Sequence, residues 1–438
     1  MAKQMKKSIT LKHERGKTTP NPDVMRLQEA LAAFGLDIVQ VDGVFGPATL
    51  RAVKSFQKYS NLKVDGIVGA RTIQAINALL ARVDRDYKSV PTKMPLPAVP
   101  KLWRNLLGQA QREAQIQAAL HRRYFSKLDE RDLLGFGVGA KTIDGEATGG
   151  TAAVFFVPRK TAQSKAGLSL PKTIRVGSDS VPTDVQIGEI SQSLIGQALN
   201  QLRYRPVIPG GVSIEDVARN GPGTFGVRVI DRIAHPKRKV MLTAGHVITA
   251  LNGVPVIQPA QVDGGVIPGD QVGIAGRRFI GNLPLFVLPG FPGLLFFVDA
   301  GLVPVKKVRL NLPIVHIGTP KNALAFPVQG LPIAKSGRTT GFTAGTVTNP
   351  FFTGIATING VRTIVPNVIR SNNMQIGGGD SGSLVVTQFT NPFLPIGPLF
   401  GAFNNFPVGL LFAGSPALNI SLSSWIGPTL FAIQATIG

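Results

Sequence analysis

The 438-residue sequence contains no cysteine. This absence excludes disulfide bonds, zinc–thiolate sites, iron–sulfur clusters and thiol nucleophiles, and a chain of this length can fold without such cross-links. Charged residues are scarce as well, at 16% against a usual share of about 25%. No apolar run reaches the ~18 residues that would predict a membrane-spanning helix.

Glycine and proline are abundant instead, with 50 and 33 residues. Their density argues against a helical bundle and favours many short strands joined by turns. Lys and Arg total 47 against 24 Asp and Glu, which gives a formal net charge of +23. The excess is spread along the chain without a dense basic stripe or an interleaved aromatic platform, so we expect no specific nucleic-acid partner.

Residues 1–20 are polar and basic and contain no apolar segment of the kind found in Sec signal peptides. They predict a mobile tail. The missing signal and the missing cysteines favour the cytoplasm, and the alternative is the cell envelope or secretion by a non-Sec route.

Apolar residues recur at helical spacing in three segments of residues 21–80, which predicts a small three-helix domain. Two of its loops repeat one pattern, in which an Asp-Gly turn, an apolar residue and a second glycine precede a threonine that begins a helix. The pattern resembles the peptidoglycan-binding domain of bacterial wall hydrolases over residues 24–76. The matching segments are residues 27–28 (LQ), 42–49 (DGVFGPAT), 52–57 (AVKSFQ) and 65–72 (DGIVGART). The resemblance implies peptidoglycan as a partner, although these residues would build turns and core without any ligand.

Residues 81–130 combine a Pro-rich stretch, which predicts a linker, with a helical period over residues 101–130. Residues 131–205 predict short strands and form a small α/β accessory region. Its GVGAK, VPRK and PTDV segments resemble the region that precedes the protease barrel in a group of bacterial trypsin-like proteins. That resemblance implies a scaffold or prosegment-like role.

Residues 377–383 (GGGDSGS) place Ser381 between glycines. Such a backbone can turn two N–H groups toward one point, where an oxyanion forms during acyl transfer. A serine hydroxyl becomes a nucleophile only when a base takes its proton. Of the five histidines, His246 is the candidate base, because the small residues before it leave its imidazole free at the end of an apolar strand.

The chain after His246 contains four acidic residues, Asp263, Asp270, Asp299 and Asp380. Asp380 adjoins Ser381, while Asp263 and Asp270 stand in glycine-rich loops, where aspartate commonly forms turns. Asp299 lies in the otherwise apolar segment LLFFVDAGLV, and a buried carboxylate is costly unless a specific partner holds it. Asp299 is therefore predicted to orient His246.

The order His246, Asp299, Ser381 resembles that of the chymotrypsin-like serine proteases, in their bacterial branch, across residues 206–438. The matching segments are LTAGH, VDAGL, KSGRTTG, GDSG and VGLLFAGS. The resemblance implies an all-β double barrel, so we expect a multidomain protein in which the helical domain and the α/β region precede that barrel.

By the same resemblance, the chain is expected to be a serine endopeptidase that needs neither a cofactor nor a metal. The N–H groups of Gly379 and Ser381 would form the oxyanion hole. The alternative is a non-catalytic envelope-binding protein that uses the protease barrel as a scaffold.

Further residues receive roles from the resemblance. Asp380 needs a cationic partner, and Arg338 of the GRTTG segment is expected to supply it, so that the oxyanion loop forms without cleavage of the chain. Gln375, Phe412 and Gly414 fall at positions that bind the substrate side chain. No acidic residue stands at the floor of that site, so we expect an uncharged, small or medium apolar P1 residue, with Phe412 narrowing the site.

Overall fold

The computed structural model describes residues 4–6, 9–14, 16, 18–36, 38, 40–88, 104–128, 133–143, 146–157, 170–187, 199–219, 221–285, 294–388 and 404–438. The α-helices among them are α1 (Pro22–Ala33), α2 (Pro47–Tyr59), α3 (Ala70–Lys88), α4 (Arg104–Tyr124) and α5 (Ile426–Ala432). None of these helices is long and apolar enough to cross a membrane. Within the same residues, no group of three or more His, Asp or Glu side chains could hold a metal ion.

The β-strands of the described residues lie before and after the turn that carries His246. Those up to the His246 turn are β1 (Gly135–Ile143), β2 (Glu146–Val157), β3 (Thr173–Val176), β4 (Asp179–Ile187), β5 (Val207–Gly210), β6 (Val212–Asp216), β7 (Pro222–Phe225), β8 (Val227–Asp231) and β9 (Arg238–Thr243). Those after it are β10 (Pro255–Ile257), β11 (Gln271–Ile274), β12 (Arg278–Leu285), β13 (Leu294–Pro304), β14 (Arg309–Ile314), β15 (Pro332–Gly337), β16 (Gly341–Ile358), β17 (Val361–Asn372), β18 (Leu384–Thr387), β19 (Pro407–Ser415), β20 (Ile420–Trp425) and β21 (Ala435–Ile437).

The helical domain is held by its two repeated loops, and a buried glutamine ties each loop to a helix. Gln28 in α1 donates to Asp42 Oδ1 at 2.8 Å, and Gln57 in α2 donates to Asp65 Oδ1 at 2.9 Å. Each glutamine oxygen accepts at 2.8 Å from the N–H of the glycine that follows the aspartate. The sequence repeat is thus one hydrogen-bonded unit used twice.

The N-terminal residues that the structure describes are packed on this domain rather than mobile. Leu11 is buried and forms a β-bridge with Val68, and Met5 exchanges backbone hydrogen bonds with the Asn77 side chain. The prediction of a mobile tail is wrong for these residues, because the chain finds partners on α3 and at Val68, just before that helix. Helix α3 also extends to Lys88, into the predicted linker, while residues 89–100 lie outside the described part.

The α/β accessory region consists of α4 and strands β1–β4. Strand β1 pairs with β2, and it also pairs antiparallel with β16, with Gly135 opposite Gly354. A ten-stranded sheet therefore runs from the accessory region into the following barrel, in the order β15-β18-β19-β20-β17-β16-β1-β2-β4-β3.

The remaining strands form the two halves of the β-rich region. The first barrel combines the sheets β11-β10-β6-β7 and β12-β13-β9-β8-β21 with the parallel pair β14–β5, and the second barrel is built from β15–β20. The predicted fold class, an all-β double barrel preceded by a small helical domain and a small α/β region, is confirmed. The His246 turn follows β9 in the first barrel, and residues 377–383 lie between β17 and β18 in the second.

Candidate active site

The first barrel brings His246 and Asp299 into direct contact. Strand β13 pairs with β9, with Gly301 opposite Thr243, so that Asp299 lies beside the turn that follows β9. His246 Nδ1 lies 2.5 Å from Asp299 Oδ2, and the His246 backbone N–H donates to Oδ1 at 2.8 Å. Asp299 is wholly buried, and His246 is 6% exposed. The carboxylate therefore fixes the imidazole with its Nδ1–H toward Asp299, which leaves Nε2 as a proton acceptor.

The turn that carries Ser381 requires its glycines. Gly379 and Gly382 adopt φ values of +103° and +98°, in the region that favours glycine. A Cβ on Gly379 would lie 2.8 Å from Thr339 Oγ1, and a Cβ on Gly382 would overlap the Thr224 carbonyl oxygen. The sequence argument for a sharply bent backbone around Ser381 agrees with this geometry.

Some backbone N–H groups in this turn are hydrogen-bonded and others are free. The N–H of Asp380 donates to the Gly377 carbonyl at 3.0 Å, and the N–H of Gly382 donates to the Leu411 carbonyl at 2.8 Å. Among the described residues, the N–H groups of Gly379 and Ser381 have no acceptor. These two donors are the ones assigned to the oxyanion hole from sequence, and both residues line the cleft that contains His246.

The cationic partner of Asp380 is Lys335, so the predicted ion pair between Arg338 and Asp380 is wrong. Lys335 Nζ lies 3.1 Å from Asp380 Oδ2, and both side chains are buried. Arg338 instead pairs with Asp263, with its Nε 2.9 Å from Oδ2. Lys335 lies in β15, whereas Arg338 lies in the turn that follows this strand, where Asp263 binds its guanidinium instead. The signal that sequence reasoning missed is a lone lysine in the apolar segment LPIAKSG.

Burial and pairing act in opposite directions on Lys335. Burial lowers the pKa of its ammonium group, and the nearby Asp380 carboxylate opposes that shift. Asp380 also accepts hydrogen bonds from the Thr340 hydroxyl at 2.6 Å and from the N–H groups of Thr339 and Gly377 at 2.7 and 2.9 Å. This network holds the backbone on both sides of the Ser381 turn.

Asp263 and Asp270 are turn residues that also bind arginine, and neither approaches His246 in the hydrogen bonds of the described chain. Asp270 is held by Arg203, whose Nε and Nη2 each lie 2.7 Å from a carboxylate oxygen. The guanidinium of Arg203 lowers the pKa of the Asp270 carboxyl. The positions of Asp263 and Asp270 in loops were predicted. Their ion-pair partners were not, because these partners are distant in sequence.

Asp216 is a buried carboxylate that sequence reasoning missed. It accepts hydrogen bonds from the N–H and the hydroxyl of Thr249 at 2.7 and 2.9 Å, and from the N–H of Ala218 at 2.9 Å. Burial raises the pKa of Asp216. Because Thr249 follows the His246 turn, Asp216 ties the end of that turn to β6.

A cleft of about 360 Å³ opens between the barrels and contains both His246 and Ser381. Its lining residues are Arg219, Gly221, Pro222, His246, Ile376, Gly377, Gly378, Gly379, Asp380, Ser381, Leu411, Phe412, Ala413, Gly414 and Pro416. The wall beyond Ser381 is mainly apolar, since residues 382–438 contain no charged side chain.

Two of the three predicted substrate-binding residues differ from expectation. Gln375 is exposed and does not line the cleft, because its carbonyl is held outside by the Thr343 hydroxyl at 2.9 Å, and the neighbouring Ile376 lines the cleft instead. Phe412 lines the cleft, where its carbonyl oxygen accepts a hydrogen bond from the Ser381 hydroxyl. Its ring is buried against Phe297, with 5.1 Å between ring centroids, so the ring does not narrow the cleft as expected.

Gly414 lines the cleft where it was expected. A Cβ at this position would overlap Ile376 Cδ1, so the isoleucine side chain lies against the glycine. The side chain that fills this part of the cleft is therefore Ile376 rather than Phe412.

Comparisons with known proteins address the two ends of the chain. Residues 20–76 match the family model described as a putative peptidoglycan binding domain. This stretch is a domain of the peptidoglycan-binding type. No curated protein matches the chain.

Several solved structures are similar to this chain over 53% of its length. They include Thermobifida fusca protease A (18% identity, 98% of that chain, TM-score 0.35), Nocardiopsis protease (16%, 98%, 0.33) and Cellulomonas bogoriensis chymotrypsin (17%, 98%, 0.34). Identities and TM-scores this low carry no argument about activity or substrate. The chemistry of the site therefore has to be inferred from its own residues.

Proposed function

We propose that the chain is a serine endopeptidase in which Ser381, His246 and Asp299 form the catalytic triad. The observation that carries the proposal is the buried pair of His246 and Asp299, whose ring nitrogen and carboxylate oxygen lie 2.5 Å apart, in one cleft with Ser381. A wholly buried carboxylate that binds both the ring and the backbone of one histidine fits the task of orienting a general base.

In the proposed mechanism, Ser381 Oγ attacks the scissile carbonyl carbon and its proton passes to His246 Nε2. The carbonyl electron pair moves to oxygen, and the free N–H groups of Gly379 and Ser381 donate to that oxyanion. Collapse breaks the C–N bond, and His246 gives the proton to the leaving amine. Water then attacks the acyl-enzyme, with His246 as base again, and releases the acid.

Ser381 is free to take this role. Its hydroxyl donates to the Phe412 carbonyl at 3.4 Å, which is a long bond for two oxygen atoms. Rotation of a serine side chain between staggered positions is inexpensive, so the hydroxyl can exchange this acceptor for His246 Nε2 when substrate binds.

Lys335 supports an oxyanion turn that needs no activating cleavage. Its ammonium group supplies, from within the chain, the positive charge that Asp380 requires. In this proposal the oxyanion turn forms without cleavage of the chain, and Lys335 takes the part that was predicted for Arg338.

A fluorophosphonate probe tests the triad, because it reacts only with an activated serine. We expect labelling of the wild-type chain, none for Ser381→Ala, and a loss of at least ~10³-fold in labelling rate for His246→Gln. His235→Gln is the matched control, since His235 is exposed and makes no contact with the site. Labelling of Ser381→Ala at the wild-type rate would contradict the proposal.

The helical domain supports a second activity, binding to peptidoglycan through residues 24–76. The observation that favours it is the family match over residues 20–76. Co-sedimentation of the Ser381→Ala chain with insoluble peptidoglycan tests it without proteolysis. A chain that binds peptidoglycan but fails the probe experiment would be the alternative predicted from sequence, a non-catalytic envelope-binding protein.

A further inference from the structure

The helical domain contacts the first barrel directly behind the His246 turn. The N–H of Ala250 donates to the Phe34 carbonyl at 2.8 Å, and Arg82 donates to the Ala250 carbonyl and, at 2.7 Å, to Asn252 Oδ1. Phe34 is wholly buried in one apolar core with Ile248, the second residue after His246. The segment after the catalytic histidine therefore lies between its barrel and the helical domain.

Arg278, the first residue of β12, lies at this joint between the helical domain and the first barrel and bonds to both. Its Nη1 donates to the carbonyl oxygens of Gly245 and Ile248 at 3.2 and 2.8 Å. These two carbonyls flank His246 on either side. Its Nη2 donates to the Ala33 carbonyl at the end of α1. One guanidinium thus holds both ends of the His246 turn and the last turn of a helix from the other domain.

The charge of Arg278 also acts on the triad. Burial lowers the pKa of Arg278 to about 10, so that the group is still cationic at neutral pH. The carboxylates that stabilise its charge are Asp299 and Asp216. The Arg278 guanidinium therefore also attracts the carboxylate that holds the His246 ring.

We propose that Arg278 is a positioning residue for His246, and that the helical domain holds Arg278 in place through the Ala33 carbonyl. The proposal rests on the peptidase function proposed above. The helical domain is then part of the catalytic unit and not only a binding module, because the rate of peptide hydrolysis depends on the position of α1 against the first barrel.

A pair of glycine substitutions within the helical domain tests the joint. Gly35 has φ +84°, and a Cβ there would lie 2.8 Å from the Ile248 carbonyl oxygen and would overlap the Arg278 guanidinium. Gly66 has a similar φ of +74°, but its Cβ would meet only Leu50 and Lys54 inside the same domain. Both alanine variants strain the domain, and only Gly35→Ala disturbs Arg278.

We expect Gly35→Ala to lower kcat by about tenfold or more with little change in KM, because a small displacement of the base slows proton transfer more than it weakens binding. Gly66→Ala is expected to keep the wild-type kcat. Equal kcat values in the two variants would overturn the proposal.

Neighbouring arginines provide a second test that does not require activity. Arg277 forms its contacts elsewhere, with Asp231 and the Ile433 carbonyl. We expect Arg278→Gln to shift the NMR signals of the His246 ring protons, because the His246 turn loses its support, and Arg277→Gln to leave these signals unchanged. Arg278→Lys should restore neither the wild-type ring signals nor kcat, since an ammonium group cannot span the three carbonyls as a guanidinium does.

Unchanged His246 ring signals in Arg278→Gln would overturn the proposal. The two proposals also fail in different ways. If the wild-type chain is not labelled by the fluorophosphonate probe, the peptidase function is wrong, whereas the NMR comparison still decides whether Arg278 positions His246.

Discussion

The chain attaches a different accessory unit to each barrel, and the two joints are built from different bonds. The helical domain meets the first barrel through an apolar core that includes Phe34 and Ile248, and through the side chains of Arg82 and Arg278. The α/β region meets the second barrel through backbone pairing of β1 with β16. Side-chain contacts can be lost one at a time, whereas a strand that leaves a sheet exposes a row of unpaired backbone groups. The first joint is therefore made mainly of side-chain packing and side-chain hydrogen bonds, and the second of backbone pairing.

Each joint also contains a charged group of its own. Arg278 at the first joint remains a cation and reaches the base of the proposed triad. Glu113 of α4 is at the second joint, where it is 1% exposed and bonded to Gln109 and to the Gln329 backbone. The first joint thus bears on catalysis and the second on stability.

The largest expected effect comes from the second barrel's own ion pair. Lys335→Met leaves the buried Asp380 carboxylate without its cation, which should cost about 3–5 kcal/mol in unfolding free energy and most of kcat, because the Ser381 turn loses its support. Arg338→Gln is the control, since it breaks the contact with Asp263 and leaves the Asp380 network intact. Urea unfolding and steady-state kinetics measure both. A greater loss of kcat in Arg338→Gln would restore the pairing predicted from sequence.

The proposed triad could be predicted from sequence because charge is so scarce around it. An aspartate in the apolar segment LLFFVDAGLV needs a specific buried partner, and the order of the motifs along the chain indicated that this partner is His246. Lys335 was missed for a different reason. A resemblance carries over residue types at motif positions, whereas the cation that reaches Asp380 depends on how β15 and the turn after it pack.

The joints themselves were beyond sequence reasoning. Ala33 and Arg278 are 245 residues apart, and nothing in either local segment indicates the other. The prediction of a mobile N-terminal tail failed for the same reason, since Leu11 pairs with Val68, a residue distant in sequence. Local patterns predict elements and turns, while contacts between distant surfaces depend on the packing of the whole chain.

A smaller effect is expected at the second joint, and it depends on pH. Burial raises the pKa of Glu113 from its ordinary value of 4.5 to about 7. The folded chain therefore holds this proton more tightly than the unfolded chain does, so the contribution of Glu113 to stability is greatest below pH 4.5 and falls as the pH rises to 7. The decline attributable to Glu113 is at most about 3 kcal/mol.

Glu113→Gln should remove this decline, as measured by urea unfolding at a series of pH values. Glu29→Gln, in the helical domain, is a control for the change in net charge. If wild type and Glu113→Gln lose stability in parallel between pH 4.5 and 7, Glu113 is not the group responsible, and the second joint is independent of pH.

The smallest effect concerns the cleft where the two barrels meet. The second barrel supplies Ile376, which lies against Gly414, so we expect Ile376→Ala to enlarge the side-chain site and to raise the preference for a large over a small apolar P1 residue about tenfold in kcat/KM. Gln375→Ala is the matched control, because this neighbour is exposed and lies outside the cleft. Profiling of both variants on a peptide library measures the change. A change of P1 preference in Gln375→Ala alone would show that Gln375, the residue predicted from the sequence, determines specificity. A shift in Ile376→Ala alone would place P1 selection in the second barrel, while the helical domain acts only on the base carried by the first.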